Sequence, residues 1–78
     1  MENWRERLLV DPQICHGRMC IKGTRVMVSV VLDNLADGES VEAITKGYHI
    51  VPEDVQAAIK YAAELARERV IYTAGAAP

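Results

Sequence analysis

The sequence predicts a mainly α protein, with a three-helix, helix-turn-helix-like (homeodomain-like) core behind a short N-terminal β arm or hairpin. Two observations predict this fold class. Apolar residues up to residue 28 form short strand-like runs broken by glycines, whereas later ones recur at helical spacing. Glycines and a proline then divide the helical part into three segments, of which the last is the longest. We predict one domain, with the arm in residues 1–28, the core in residues 29–73 and a disordered tail in residues 74–78.

The composition points to a small core. Half of the 78 residues are hydrophobic, yet Phe is absent and there is one Trp, which predicts a thin aliphatic core. A chain of this size buries only about 60% of the surface that its unfolded form exposes, so we expect a homodimer. The two cysteines are too few for the disulfide framework of a small secreted protein. With no signal-peptide layout and no apolar run of membrane-spanning length, the sequence predicts a cytoplasmic protein without a membrane partner.

The net charge of −2 is unevenly distributed along the chain. Residues 1–25 hold five basic and three acidic side chains, a balance of +2, whereas residues 26–78 hold four basic and eight acidic ones, a balance of −4. We therefore expect any surface that attracts nucleic acid in the first third, and a basic protein partner for the remainder. The alternative is that both parts are ordinary solvated surface.

A short strand is predicted in residues 8–10, where an apolar run is closed by Asp11 and Pro12. Proline disfavours helix for the residue that precedes it, which argues against a helix at this point. The hairpin predicted further along is marginal in water as two strands and needs a third. That third strand comes either from residues 8–10 or from the same segment of a second chain.

The hairpin is predicted around Gly23 and Thr24, a two-residue loop with glycine first, as a type II′ turn requires. Lys22 would then face Arg25, and like charges opposite each other are mildly destabilising. The other facing pairs would be Ile21 with Val26 and Cys20 with Met27. We interpret Arg18, Lys22 and Arg25 as an anion-binding edge that suits DNA. The alternative is that the glycine serves only the turn and the charges are solvated.

Two short helices are predicted after the arm. The first extends from Ser29, as its N-cap, to a stop at Gly38, with apolar residues at i, i+3, i+4 and i+7. These residues are Val28, Val31, Leu32 and Leu35. The second helix opens at Ser40 and is predicted to end at Gly47, after fewer than two turns.

The third helix is predicted from Pro52, which suits the first helical position, to about Tyr72. Val51 cannot cap it with a side chain, so we expect its start to fray or to be satisfied by a neighbour. Its apolar arc has two stripes and is wider than two short helices can cover. The stripes are Val55, Ile59, Ala62, Ala66 and Val70, and beside them Ala58, Tyr61 and Leu65. We predict a partner on this face, contacted by Tyr61, Leu65, Glu64 and Glu68.

The third helix is a weak candidate for reading DNA, although it follows a helix and a turn as a recognition helix does. Its exposed start would offer Glu53, Asp54 and Gln56, and the two carboxylates would face phosphate. Base readout relies mainly on Arg, Lys, Asn or Gln, with basic side chains for the backbone. The basic arm is therefore the better candidate for a DNA contact.

Neither a metal site nor a catalytic site is predicted. A structural zinc site needs two ligand pairs, and only one C-x4-C pair is present, so buried thiols are the expected state. The candidate ligands are Cys15, His16, Cys20 and His49. In an enzymatic alternative, Lys22 and Arg25 would lower the pKa of an exposed Cys20 thiol. Because no nucleophile–base pair or phosphate-cradling loop is recognisable, we expect a non-enzyme without cofactors.

Several segments together resemble a bacterial family of short, antitoxin-like proteins known as domain of unknown function four-three-three. The resemblance spans about residues 7–66, and an I-K-G-T-R-V block followed by G-E-S is its most specific part. The segments are residues 11–15 (DPQIC), 17–18 (GR), 21–26 (IKGTRV), 35–40 (LADGES) and 52–55 (PEDV). The resemblance implies a core of the helix-turn-helix type.

The resemblance also implies a function, namely the antitoxin of a type II toxin–antitoxin pair. The expected partner is a PIN-like ribonuclease toxin, which this protein would neutralise, with autoregulatory DNA binding shared between the two. In this interpretation, the acidic residues of 26–78 and the apolar face of the third helix meet the toxin's basic RNA groove. The alternative is a stand-alone DNA-binding transcriptional regulator that uses Arg18, Lys22 and Arg25.

Overall fold

The computed structural model describes residues 3–68. An N-terminal 3-10 helix (Trp4–Arg7) leads into strand β1 (Leu8–Leu9), and a second 3-10 turn (Cys15–Gly17) leads into strand β2 (Cys20–Ile21). Three helices follow, namely α1 (Val28–Ala36), α2 (Val41–Tyr48) and α3 (Pro52–Glu68). The predicted fold class, a mainly α three-helix core with a short N-terminal hairpin, is confirmed.

The described part ends within the long last helix. The predicted continuation of α3 to about Tyr72 and the predicted tail in residues 74–78 lie outside the described residues. None of the helices in residues 3–68 is long and apolar enough to cross a membrane.

The two strands form an antiparallel pair, with Leu8 opposite Ile21 and Leu9 opposite Cys20. Of the two predicted sources for the third strand, the chain's own apolar run therefore supplies it. The residues after the turn form no third strand but make an isolated bridge between Met27 and Cys20. In addition, the Ile21 N–H donates to the Val26 carbonyl at 2.9 Å. These contacts confirm the predicted pairing of residues 20 and 21 with residues 27 and 26.

The turn between these segments differs from the predicted type II′ loop by one residue. It spans residues 21–24, because the Thr24 N–H donates to the Ile21 carbonyl at 3.0 Å. Gly23 is thus the third residue, where its φ of +81° is what a type II turn needs. The Thr24 hydroxyl donates to the Ile21 carbonyl at 2.7 Å and accepts from the Val26 N–H at 3.0 Å. The predicted ladder position of Lys22 opposite Arg25 is therefore wrong, since Lys22 lies inside the turn.

Helix α1 begins one residue before its predicted cap. Val28 is its first residue and Met27 precedes it without a side-chain cap, so the prediction of Ser29 as N-cap is wrong. The reason is tertiary, because the Met19 carbonyl accepts the Val28 N–H at 3.0 Å. At the other end Gly38, with a φ of +93°, stops the helix as predicted.

Hydrogen bonds at the C-terminus of α1 explain that stop. The Glu39 N–H donates to the Asn34 carbonyl and the Gly38 N–H donates to the Leu35 carbonyl, both at 3.0 Å. This is the Schellman pattern, in which a left-handed residue satisfies the last carbonyls of the helix.

Helix α2 begins as predicted and ends later than predicted. The Ser40 hydroxyl accepts from the Ala43 N–H at 3.0 Å, which confirms the N-cap. The predicted end at Gly47 is wrong, because the helix continues to Tyr48 and His49 then adopts the left-handed conformation, with a φ of 57°. The residue that ends the helix is thus a histidine in a conformation that glycine adopts more readily.

The start of helix α3 is stabilised by a side chain of its own first turn. The Asp54 carboxylate accepts from the Val51 N–H at 3.2 Å, so the missing cap at Val51 is offset by a neighbour, one of the two predicted outcomes. This contact also turns Asp54 inward. The residue is only 8% exposed, and its predicted position on an exposed helix start, beside Glu53 and Gln56, is wrong.

The core lies where the three helices meet β2, and its cluster of buried side chains consists of Ile21, Val28, Val31, Ile44, Ile50, Val55 and Ala58. The predicted stripes on α3 are partly wrong. Ile59 is 38% exposed, whereas Ala57, which belongs to neither stripe, is fully buried. Ala66 is exposed as well. The buried face is rotated because α3 packs against α1 and α2 and also against the N-terminal 3-10 helix.

Candidate binding surfaces

An open groove of about 400 Å³ lies between α3, β1 and the N-terminal 3-10 helix. Apolar side chains from all three elements form most of its walls, and charged side chains stand at its rim. The lining residues are Trp4, Arg5, Leu8, Leu9, Val10, Met19, Tyr61, Glu64, Leu65 and Glu68. We call this feature the Trp4–Tyr61 groove. All four side chains predicted to face a partner, namely Tyr61, Leu65, Glu64 and Glu68, line it.

One wall of the Trp4–Tyr61 groove comes from a segment that the sequence reasoning missed. Asn3 caps the N-terminal 3-10 helix by accepting the Arg5 N–H at 3.0 Å. The Arg5 guanidinium lies 4.4 Å from the centre of the Trp4 ring and 3.2 Å from the Glu64 carboxylate. The available signals were an asparagine ahead of a helical turn and the single Trp, placed beside an arginine that can stack on it.

This segment covers part of the apolar face of α3. Tyr61, Glu64 and Leu65 are only half-buried beneath it. The Glu64 carboxylate is held by two arginines, by Arg5 and by Arg67 at 2.9 Å. The chain therefore accounts for some of the excess apolar arc, and what remains open is the Trp4–Tyr61 groove.

A partly buried ion pair fixes the segment in place. The Arg7 guanidinium lies 3.0 Å from the Asp54 carboxylate, with side-chain exposures of 25% and 12%. The Arg7 carbonyl accepts the Lys22 N–H at 2.8 Å, which continues the strand pairing. The pair joins residues 47 positions apart in the sequence. No local sequence pattern predicts a contact between residues so far apart.

A second groove, of about 380 Å³, adjoins the first on the side of α1. It shares three side chains with the Trp4–Tyr61 groove, namely Met19, Tyr61 and Leu65. Its other walls include Val28 and Leu32, and Arg18 stands at its edge. The open apolar surface thus extends from the N-terminal 3-10 helix across α3 to α1.

The three predicted anion-binding residues, Arg18, Lys22 and Arg25, are all exposed. Within residues 3–68 none of them is recorded in an ion pair with a carboxylate. They do not form the predicted ladder edge, because Lys22 lies inside the turn and Arg18 follows the second 3-10 turn. One link between their segments is a hydrogen bond at 3.1 Å from the Cys15 thiol to the Arg25 carbonyl.

The two cysteines differ in exposure. Cys20 is fully buried, as the prediction of buried thiols expects, whereas Cys15 is half-buried. The pKa of the Cys20 thiol is raised, mainly by burial and then by its interaction with Cys15 and by the negative charge of Asp11. The alternative of an exposed Cys20 with a lowered pKa is therefore wrong. In the described part of the chain, no three His, Cys, Asp or Glu side chains are grouped closely enough to hold a metal ion.

The second 3-10 turn has an unusual backbone. Cys15, His16 and Gly17 all have positive φ values, of 54°, 56° and 76°. Two hydrogen bonds close the turn, from the Gly17 N–H to the Ile14 carbonyl at 3.1 Å and from the Arg18 N–H to the Cys15 carbonyl at 3.0 Å. Positive φ costs of order 1–3 kcal/mol at each residue other than glycine, so the surrounding contacts must hold Cys15 and His16 in place.

Comparison with known proteins gives a family and a fold. The family model described as "Protein of unknown function (DUF433)" matches residues 9–62. The crystal structure of Rv2018 from Mycobacterium tuberculosis is similar, with a TM-score of 0.65 and 24% sequence identity. The match covers 72% of this chain but 27% of that one, so the chain spans about a quarter of that protein's length, and the likeness concerns the fold alone. No curated protein matches the chain.

Proposed function

This chain belongs to the DUF433 family, and we propose that it is an antitoxin-like binding protein that neutralises a PIN-like ribonuclease toxin in a type II toxin–antitoxin system. The family resemblance suggests the class of partner. The observation that carries the proposal is the Trp4–Tyr61 groove, an open, mostly apolar site of about 400 Å³ between the N-terminal 3-10 helix, β1 and α3. We infer binding rather than catalysis.

The shape and chemistry of the groove suit an apolar anchor from another protein. Its walls combine aromatic and aliphatic side chains from Trp4, Tyr61, Leu9 and Leu65. Val10 at its edge is 52% exposed. Buried aromatic and aliphatic anchors in such pockets supply most of the binding energy of protein interfaces, whereas the surrounding rim contributes little.

The charge of the helical part as a whole favours a basic partner. In residues 26–68 there are three basic side chains and eight acidic ones. Six of the eight are exposed, namely Asp33, Asp37, Glu39, Glu42, Glu53 and Glu68. A ribonuclease must present positive charge to its RNA, so an acidic protein surface can cover that charge. Complementary potentials of this kind speed association and exclude wrong partners.

The first experiment is capture of the tagged protein from its native cell at moderate salt, followed by mass spectrometry of the bound material. Recovery of a small PIN-like nuclease in near-equal amount is the expected result. The two purified proteins should then co-elute, and cleavage of RNA by the nuclease should be suppressed. A nuclease that neither co-elutes nor loses activity would contradict the proposal.

A matched pair of variants tests the groove. Leu65→Ala removes an apolar wall of the groove, whereas Ile59→Ala removes a side chain of the same helix that is 38% exposed and outside the groove. We expect Leu65→Ala to weaken nuclease binding by at least about tenfold, since truncating an interface anchor costs about 2 kcal/mol or more. Ile59→Ala should bind as the wild type does. Equal binding by all three proteins would place the nuclease elsewhere on the surface.

A second candidate function is DNA binding, either shared with the toxin as autoregulation or as a stand-alone transcriptional regulator. Arg18, Lys22 and Arg25 favour it, because all three are exposed and none is recorded in an ion pair within residues 3–68. Each phosphate that a cation neutralises releases counterions, so affinity should fall steeply with salt.

Charge reversal distinguishes this function from nonspecific attraction. Arg25→Glu should lower the affinity for promoter DNA and flatten its salt dependence, whereas Lys60→Glu, at an exposed position on α3, should change both much less. Fluorescence anisotropy across a salt series measures both quantities. If the two variants behave alike, the segment that carries Arg25 does not contact DNA.

The proposal also includes a homodimer in the cytoplasm. Within the described residues the sheet has two strands, in the order β1-β2, so the outer edge of β1 has no strand beside it. An unpaired edge of this kind is a template for a second chain. Sedimentation equilibrium of the wild type and of a Val10→Pro variant, which lacks a backbone donor beside that edge, tests the strand-mediated dimer.

A further inference from the structure

The Trp4–Tyr61 groove and the second groove together form one open apolar surface. The two grooves share Met19, Tyr61 and Leu65, so these three half-buried side chains lie between them. We call the surface that the residues of both grooves line the Tyr61–Leu65 face. Contiguous open apolar surface of this kind marks a site of association. A chain of this size also has a small core of its own, so covering the face would add to its stability.

The two halves of the Tyr61–Leu65 face carry opposite charge. Arg5, Glu64 and Glu68 line the first groove, one basic and two acidic side chains, a balance of −1. Arg18 lines the second groove, whose other described lining residues are uncharged, a balance of +1. Arg5 and Glu64 are paired with each other at 3.2 Å. Glu68 and Arg18 are exposed, and neither is recorded in an ion pair within residues 3–68.

We propose that, in the free protein, a second copy of this chain covers the Tyr61–Leu65 face. Glu68 lines only the first groove and Arg18 only the second, so the shared side chains separate them. A two-fold axis that lies in the plane of the interface and passes through the shared side chains brings Arg18 of each copy to Glu68 of the other. Because a symmetric dimer makes each contact twice, the rim gains two attractive pairs while the apolar side chains between them are buried.

A second copy suits both ends of the face, which a uniformly charged partner does not. A basic partner that reaches across both grooves would be attracted by Glu68 and repelled by Arg18, and an acidic partner would meet the reverse. Like charges brought together at an interface disfavour the wrong partner. The face therefore matches a partner whose charge changes sign along its length, as its own charge does.

The inference rests on the homodimer of the proposed function and deepens it, because it assigns the contact to the Tyr61–Leu65 face rather than to the strand edge of β1. It does not depend on the nuclease. The two grooves are lined by fewer residues than the about 20–30 that each partner contributes to a standard interface, so the dimer is weak and reversible. A nuclease that binds the Trp4–Tyr61 groove then takes the place of the second copy.

The test is sedimentation equilibrium of the purified full-length protein with two charge reversals, each alone and in an equimolar mixture. Arg18→Glu alone brings acid to acid at both ends of the dimer, and Glu68→Arg alone brings base to base. We expect each to raise the dimer dissociation constant by at least about fivefold, because two attractive pairs become two repulsive ones. In the mixture an Arg meets a Glu at both ends, so a heterodimer should form with the affinity of the wild type. An unfolded variant could not be rescued in this way.

Glu53→Arg and Lys60→Glu are the matched controls, since both positions are exposed on α3 and neither lines either groove. Each control alone, and their mixture, should dimerise as the wild type does. A wild type that stays monomeric up to millimolar concentration would overturn the inference together with the proposed homodimer. A dimer whose affinity neither Arg18→Glu nor Glu68→Arg changes would overturn the inference alone and leave the strand edge of β1 as the contact.

Discussion

The N-terminal part of the chain (residues 3–27) and the helical part (residues 28–68) hold their shapes by different means. Of the ten buried residues in the described part of the chain, the helical part contains eight, and its helices meet through them. The N-terminal part contains two, Cys20 and Ile21. Its turns are held instead by specific hydrogen bonds and by the Arg7–Asp54 ion pair. The difference teaches that the N-terminal part depends on the helices for its core.

Backbone strain follows the same division. In the helical part, the positive φ values fall at helix ends, at Gly38 and His49, where they stop the chain. In the N-terminal part, they fall at Gly17 and Gly23 and also at the non-glycine residues of the second 3-10 turn. At a helix end, a left-handed residue lets the backbone N–H groups that follow bond the last carbonyls of the helix. The second 3-10 turn is closed instead by the hydrogen bonds from the Gly17 N–H to the Ile14 carbonyl and from the Arg18 N–H to the Cys15 carbonyl.

The largest expected effect comes from the core of the helical part. Ile44→Ala removes a side chain that is 2% exposed and should lower the free energy of unfolding by about 2–5 kcal/mol, since a buried isoleucine loses both its transfer energy and its packing. Ile59→Ala, at 38% exposure, should cost about 1 kcal/mol or less. Urea unfolding measures both. Similar losses would mean that α3 is buried in an assembly that covers Ile59.

A smaller effect is expected at the contact between the two parts. Asp54→Ala removes the partner of Arg7 and the acceptor of the Val51 N–H, and we expect a loss of about 2–3 kcal/mol, between the values for exposed and for fully buried pairs. Glu53→Ala, the exposed acid beside it, should cost below about 1 kcal/mol, through the helix dipole.

The same pair of variants reports on the groove. Because Arg7 holds the segment that carries Trp4, Asp54→Ala should also increase hydrogen exchange in residues 4–7, whereas Glu53→Ala should not. Unchanged exchange would mean that the contact of Trp4 with α3 holds the segment without the ion pair.

The helical part could be predicted from the sequence because its rules are local. Helical spacing located α1 to α3, Ser40 capped α2 and Gly38 stopped α1. The errors came from a tertiary contact at the start of α1 and from the backbone conformation at the end of α2. The Met19 carbonyl moved the start of α1, and the left-handed His49 allowed α2 to pass Gly47.

The candidate site could be predicted only in part, for the same reason. Tyr61, Glu64, Leu65 and Glu68 share one face of α3, and helical spacing brings them together. The opposite wall is a 3-10 helix of four residues, too short to leave a periodic signal. Its position depends on Arg7 meeting Asp54, and residues so far apart in sequence meet only once the fold has formed.

The two smallest expected effects on the free energy of unfolding have opposite signs in the two parts. Gly23→Ala places a side chain at a φ of +81° in the N-terminal part and should lower the free energy of unfolding by about 1 kcal/mol. Gly47→Ala places one inside α2, where nothing lies within 4 Å of the new carbon, and should raise it by about 0.5–1 kcal/mol. Each kcal/mol shifts the melting temperature by about 4–8 °C in a domain of this size, so calorimetry resolves both. Since neither new methyl group meets a neighbour, the sign reports the backbone alone. A loss at Gly47 would contradict the unstrained helical backbone described at that position.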